Sequence, residues 1–178
     1  MTSYALLGLL TFGDELTGYE LKQRADRTLR FYWVAPAMSQ VYSELARLAE
    51  AKLVRRRGKG RGTTYALTAK GRRTLERWMR DTPAGFPVFK HPVALRLMIG
   101  HLGDTDTIRM MLEEYLAEVA AARRDLAAVR SSLESADGPG EPFHHPSMVA
   151  DWGLAHFDSE ARIARRLLSR LATDETAG

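Results

Sequence analysis

The chain has 178 residues, with 45% apolar and 27% charged side chains and no cysteine. That composition is ordinary for a water-borne globular protein of one domain or two small ones, and it excludes disulfides and thiolate metal sites. The net charge of +4 is unevenly spread: residues 1–81 carry 16 Lys/Arg against 8 Asp/Glu, and residues 82–178 carry 10 against 14. A basic first half suits a polyanion, and an acidic second half suits a different task.

No apolar run is long enough to cross a membrane, and the N-terminus has no basic n-region or small-residue cleavage site. A cytoplasmic protein is expected. Residues 3–12, SYALLGLLTF, read as a short, mostly buried helix broken by Gly13, Asp14 and Glu15. Thr17 followed by Glu20 is a capping box, and Leu21, Ala25 and Leu29 recur at helical spacing, so a second helix is predicted from about Gly18 to about Leu29. Pro36 suits the first turn of a third helix, in which Val41, Leu45, Leu48 and Leu53 share one side.

The run LVRRRGKGRGTTYAL (53–67) holds five Arg or Lys and three Gly between apolar ends. Two strand-compatible segments around a Gly-rich turn read as a β-hairpin. Thr68 caps a fourth helix with Leu75, Trp78 and Met79 apolar. Residues 82–92 hold three prolines and read as a linker, and 93–102 as another short apolar helix.

From Ile108 the residues Leu112, Tyr115, Val119, Ala122, Leu126, Val129 and Leu133 follow at alternating spacings of four and three. This is a heptad seam on a helix spanning 105–135. A last helix, about Pro146 to Leu171, carries Trp152, Phe157, Ile163, Leu167, Leu168 and Leu171. Two such helices make a poor core alone, so a homodimer is expected, built through Ile108, Leu112, Tyr115, Val119, Leu126, Val129, Leu133, Trp152, Ile163 and Leu167. The predicted fold class is mainly α with a small β-hairpin: an N-terminal winged helix-turn-helix (1–81), a linker (82–92) and a C-terminal long-helix dimerisation domain (93–178).

Enzyme readings fail on spacing. GKGRGTT lacks the Ser/Thr of a phosphate-binding loop, its glycines alternate rather than forming G-x-G-x-x-G, and a β-prone segment follows it. The histidines, at 91, 101, 144, 145 and 156, form no zinc motif, and no G-x-S-x-G is present. No catalytic residue, metal or cofactor is expected.

A nucleic-acid reading unites the remaining features. The third helix is placed to enter a major groove, with Gln40 reading adenine or a phosphate, Ser39 and Ser43 reaching either, and Tyr42 donating to a phosphate. Arg47, Lys22 and Arg24 would neutralise phosphates, and the hairpin would add Arg55, Arg57, Lys59, Arg61 and Thr63 along the backbone or minor groove. Phe31, Tyr32 and Trp33 read either as core packing or as a stacking surface, and Trp152 either as structural or as the lining of a small-molecule pocket. A protein-interaction module using the same winged helix without DNA readout is the competing reading.

The stretches LTGYEL (16–21), Gln40-Val41-Tyr42 with Leu45 and Leu48, and Tyr65-Ala66-Leu67-Thr68 with Gly71 resemble the PadR family of transcriptional regulators. KHPVALRLMIG and the two long helices resemble the virulence-activator-like half of that family's longer branch. The resemblance implies a winged-helix homodimer on palindromic promoter DNA, usually a repressor released by a small molecule. It puts Gln40 and Tyr42 in the recognition helix and Lys59 and Arg61 at the wing tip. One departure stands out. Lys52 occupies the place where the family has a helix-ending Gly, so the third helix is expected to be less well stopped there, or to run one residue on.

Overall fold

The computed structural model describes all residues except Met1, Asp14, Trp33, Val34, Pro87–Phe89 and Gly178, and the side chains of Arg61 and residues 175–177. Trp33 therefore lies outside the described residues. The chain divides into two compact units, residues 1–86 and 87–178. No helix among the described residues is long and apolar enough to cross a membrane.

The first unit holds α1 (Thr2–Leu9), β1 (Leu16–Thr17), α2 (Gly18–Thr28), α3 (Met38–Glu50), β2 (Val54–Arg57), β3 (Thr64–Leu67) and α4 (Ala69–Asp81). Its core draws Leu6 and Leu7 from α1, Leu21 and Ala25 from α2, and Val41, Leu45 and Leu48 from α3. Val54, Tyr65 and Leu75 close it, with Tyr4 stacked on Trp78 at its edge. α2 starts with the expected capping box: Thr17 Oγ1 accepts from the Glu20 N–H at 3.2 Å, and the Glu20 carboxylate accepts from the Thr17 N–H at 2.8 Å.

Three expectations need correction. The sheet has three antiparallel strands in the order β1-β3-β2, not two; β1 is only two residues long and pairs Leu16 with Tyr65 and Thr17 with Thr64. Pro36 sits before α3 rather than in its first turn, and Ala37 is the cap residue. Lys52 does not let α3 run on. It takes the left-handed conformation itself, at φ 58°. The Leu53 N–H then reaches the Leu48 carbonyl at 2.9 Å and the Lys52 N–H reaches Ala49 at 3.0 Å. Those two bonds are a Schellman ending, built on a lysine.

Leu53 next meets α4. Thr68 Oγ1 donates to the carbonyls of Lys52 and Leu53, at 2.8 and 2.9 Å, while accepting from the Gly71 N–H at 3.0 Å. A Cβ on Gly71 would stand 2.1 Å from the Leu53 carbonyl oxygen, which is why only glycine fits there. This knot fixes where the β2–β3 hairpin leaves α3.

The second unit holds α5 (Pro92–Met98), α6 (Thr105–Leu133) and α7 (His144–Ala177). Pro92, expected in the linker, is the first residue of α5, and His91 caps that helix by accepting from the Ala94 N–H at 3.2 Å. α6 and α7 run antiparallel, tied by Arg123 to Asp158 at 2.6 Å and Arg130 to Asp151 at 2.8 Å. The heptad seam, expected at a dimer interface, is partly filled within the protomer, with Ile108, Tyr115, Val129 and Leu133 only half-buried. Its Leu112, Val119 and Leu126 are buried within the protomer, where α7 packs along α6. Opposite them, α7 buries small residues: Ser147, Ala150, Gly153, Ala161 and Ala164. Half-buried Leu154, Phe157 and Leu168 share that face, while Trp152, on the other side of the helix, is 74% exposed.

Candidate nucleic-acid interface

α3 is amphipathic. With Val41, Leu45 and Leu48 locked in the core, Ser39, Gln40, Tyr42 and Ser43 are left exposed at its N-terminal end. Gln40 is held in a definite place, because its Oε1 accepts from the Ala37 N–H at 2.9 Å and so caps the helix. Ser43 Oγ donates to the Gln40 carbonyl at 3.1 Å. The Tyr42 ring lies against the start of α2. A Cβ on Gly18 would come within 2.5 Å of it, so the glycine of the LTGYEL stretch makes room for this tyrosine.

Arg47 lies two turns further along and is drawn toward α1. It pairs with Glu44 at 2.8 Å, and Glu44 also accepts from Ser3 Oγ at 2.7 Å. The guanidinium and the Ser3 hydroxyl hold the Glu44 carboxyl below its ordinary range. Lys22 and Arg24 are likewise engaged inside the protein, Lys22 with the Asp26 carboxylate and Arg24 with the Leu9 carbonyl at 3.2 Å. Each of these three cations therefore already has a partner within the protein.

The hairpin β2–β3 pairs Arg55 with Ala66, Arg56 with Tyr65 and Arg57 with Thr64. Arg55, Arg56, Arg57 and Lys59 are all exposed, so the basic character expected of this element is on its surface. The Arg61 side chain lies outside the described residues. The turn is more specified than three alternating glycines suggest. Gly58 and Gly60 have φ of 85° and 63°, which an L side chain rarely adopts, and residues 60–62 form a 3-10 turn. Thr63 corrects its own prediction as a DNA contact. It is only 6% exposed, and its hydroxyl donates to the Gly60 carbonyl at 2.8 Å, closing the turn instead of facing outward.

Two features escaped the sequence reading. Glu15 reaches the hairpin, pairing with Arg55 at 2.7 Å. Tyr19 and Gln23 stand exposed or half-exposed on α2, joined by a bond from the Gln23 amide to the Tyr19 hydroxyl at 3.0 Å. Tyr19 was visible within LTGYEL, but nothing in the order of residues announces a carboxylate crossing to a strand some forty positions away.

Outside this surface, a polar cluster ties His91, Tyr115 and Glu160 together in the helical unit. Tyr115 OH donates to Glu160 Oε2 at 2.8 Å, and His91 Nε2 lies 2.9 Å from the tyrosine oxygen and 3.2 Å from the same carboxylate. Burial and the neighbouring Glu160 push the Tyr115 phenol above its ordinary range. Among the described residues no group of three or more His, Asp or Glu is placed to hold a metal ion.

Residues 6–77 match the model of the transcriptional regulator PadR-like family. Among solved structures, the PadR-like transcriptional regulator BC1756 from Bacillus cereus superposes with a TM-score of 0.82 at 20% identity, covering 98% of this chain and 99% of that one. Bacillus subtilis PadR in complex with operator DNA gives 0.80 at 22% identity, covering 96% and 98%. The same protein in complex with p-coumaric acid gives 0.79 at 22%, again covering 96% and 98%. No curated protein matches the sequence. The family is one of transcriptional regulators rather than enzymes, and the similarity to solved structures extends the shared fold through the two long helices. With the exposed α3 face, the LTGYEL turn beneath Tyr42 and the basic hairpin in place, residues 6–77 form a domain that matches the PadR-like family of transcriptional regulators.

Proposed function

We propose that the protein is a sequence-specific, ligand-responsive repressor that acts in the cytoplasm as a homodimer on a palindromic operator. The observation that carries this reading is the exposure of two surfaces on one unit: four hydrogen-bonding side chains at the N-terminal end of α3, and the basic strand β2. The first suits base edges in a major groove, and the second suits phosphates. Ser39, Gln40, Tyr42 and Ser43 are the base-reading group. Arg57, Lys59 and Arg61 attach to the backbone, and Arg47 contributes there once released from Glu44. The B. subtilis PadR structures with operator DNA and p-coumaric acid support both halves of the reading, DNA and effector.

The dimer is carried by a different observation. Met148, Val149, Trp152 and Ile163 of α7 are exposed apolar side chains on a helix whose opposite face is already used. Patches of this kind mark interfaces. A second copy presenting the same helices would cover them and set two α3 helices at a two-fold spacing that matches a palindrome.

Footprinting the protein on the DNA upstream of its own gene tests the reading. A protected site with two-fold symmetry is expected. Gln40→Ala with Tyr42→Phe should lower operator affinity while leaving random duplex little changed. Lys59→Gln with Arg61→Gln should weaken all duplexes and flatten the dependence of log K on log salt by about 0.9 per lost phosphate contact. An unshifted duplex at low salt would instead favour a protein-interaction module.

A further inference from the structure

We propose that Glu15 is a built-in competitor for the DNA backbone: its carboxylate holds Arg55 and Arg57 of the hairpin and must be displaced by phosphate before either arginine can serve in binding. The inference rests on the DNA-binding reading and names the regulation of that same surface.

The geometry is specific. Arg55 and Arg57 lie two apart on β2 and so project from one face of the sheet, while Val54 is buried on the other. Register places Thr64 opposite Arg57, and Thr17 opposite Thr64 on the far side of β3. Glu15 precedes Thr17 by two residues and shares that outer face. From there its Oε1 lies 2.7 Å from Arg55 and 3.4 Å from Arg57, and its Oε2 accepts from Thr64 Oγ1 at 3.3 Å. One carboxylate thus serves two arginines and a threonine drawn from both strands of the hairpin.

This face is continuous with the reading surface. Thr17 leads directly into Gly18, and the Tyr42 ring of α3 rests on Gly18. A duplex seated on Tyr42 brings its phosphates to the strip that Glu15 occupies.

Exposed ion pairs contribute only about 0–1 kcal/mol to stability, so this arrangement is a weak staple for the fold. The same weakness makes it displaceable. A phosphate approaching Arg55 must replace an existing anion and meet the repulsion of that anion at close range. Non-specific complexes depend on phosphate contacts almost entirely, so they feel the handicap with no base contact to offset it. The arginines hold the Glu15 carboxyl below its ordinary range, so the competitor stays charged throughout the neutral pH range.

The test compares wild-type protein with Glu15→Gln, which keeps the shape and loses the charge, on random duplex and on upstream DNA across a salt series. Glu15→Gln should bind both duplexes about five- to thirtyfold more tightly near 50 mM salt, the upper range for one and for two exposed pairs, with a salt slope steeper by about one unit. Glu76→Gln on α4, the same charge change away from the hairpin, should move affinity less than twofold. In a background of Arg55→Gln and Arg57→Gln the gain from Glu15→Gln should vanish. Unchanged or weakened binding by Glu15→Gln overturns the proposal, as does a gain that persists without the arginines or is matched by Glu76→Gln. If wild-type protein binds no duplex at any salt, the DNA reading falls and this inference with it; if it binds and Glu15→Gln binds alike, only the inference falls. Matching thermal melts establish that each variant is folded.

Discussion

The two units bury apolar surface in different ways. In residues 1–86, four helices and a small sheet point large side chains at one centre, and Leu6, Leu7, Leu21, Val41 and Leu45 are fully buried there. In residues 87–178, α6 sends Leu112, Val119 and Leu126 inward, but the face they meet on α7 is of small residues. Several large apolar groups of that unit stay outside: Trp152 is 74%, Met98 72% and Leu102 78% exposed. Four helices and a sheet can enclose a centre. Two helices share a single line of contact, and whatever lies off that line must face solvent or another molecule. The first unit gathers its large apolar groups around one centre, and the second leaves several of its own exposed.

The sharpest way to break this comparison is to strike the second unit on its two faces separately. Leu126→Asp places a charge in the line between α6 and α7. It should cost more than about 4 kcal/mol and abolish the far-ultraviolet helical signal of that unit, because lost burial and an unpaired buried charge add. Trp152→Glu with Ile163→Glu should leave the helical signal intact and turn dimers into monomers by light scattering, weakening association at least about a hundredfold. If Leu126→Asp yields well-folded monomers, the seam serves the partner and not the protomer. If the Trp152 pair leaves a stable dimer, the exposed α7 face is not the interface.

These faces also mark where the sequence was legible and where it was not. Heptad spacing located α6 well, because one face of a helix repeats every three to four residues. It did not say what the seam would meet, since Ala150, Gly153, Ala161 and Ala164 carry almost no hydropathic signal yet decide how closely α7 approaches. In the first unit, capping chemistry was readable: Thr17 with Glu20, and Thr68, are local hydrogen-bonding patterns complete within four residues. The hairpin was readable from its strand–glycine–strand order. The two-residue β1 was not, because a segment that short has no period and is held by its partner strand alone. The exposed α3 face followed from its buried one. Thr63, the Glu15 contact and the tethers on Arg47, Lys22 and Arg24 did not, since each depends on side chains that only folding brings together.

A second, smaller effect probes what ties α5 to the long helices. Tyr115→Phe removes a donor to Glu160 and a partner of His91 without changing the ring. Leaving those groups short of a partner should cost about 1–2 kcal/mol, read from chemical unfolding. The same contact has a signature in alkali. Because the folded phenol ionises above its ordinary value and the unfolded one near 10, the bond contributes fully below about pH 10 and is lost as pH rises beyond it. Wild-type protein should lose stability in that range faster than Tyr115→Phe does. Parallel curves would mean that the phenol is not held.

The smallest expected effect returns to the first unit and to the residue where α3 ends. Lys52 holds φ 58°, a region that costs a residue with a Cβ roughly 1–2 kcal/mol and costs glycine almost nothing. The cost is borne because the two bonds of the helix ending, and the Thr68 and Gly71 contacts that follow, over-determine the backbone at this point. Lys52→Gly keeps those bonds and relieves the strain, offset in part by the freer unfolded chain that glycine gives. A net gain of about 0.5–1 kcal/mol is expected, seen as a rise of roughly 2–8 °C in the melting of a unit this size. Lys52→Ala keeps the Cβ and should leave the melting point almost unchanged, which separates backbone strain from the loss of a charge. If the alanine variant gains as much as the glycine variant, the effect is one of charge and not of backbone. If glycine gains nothing, α3 does not end in a left-handed residue.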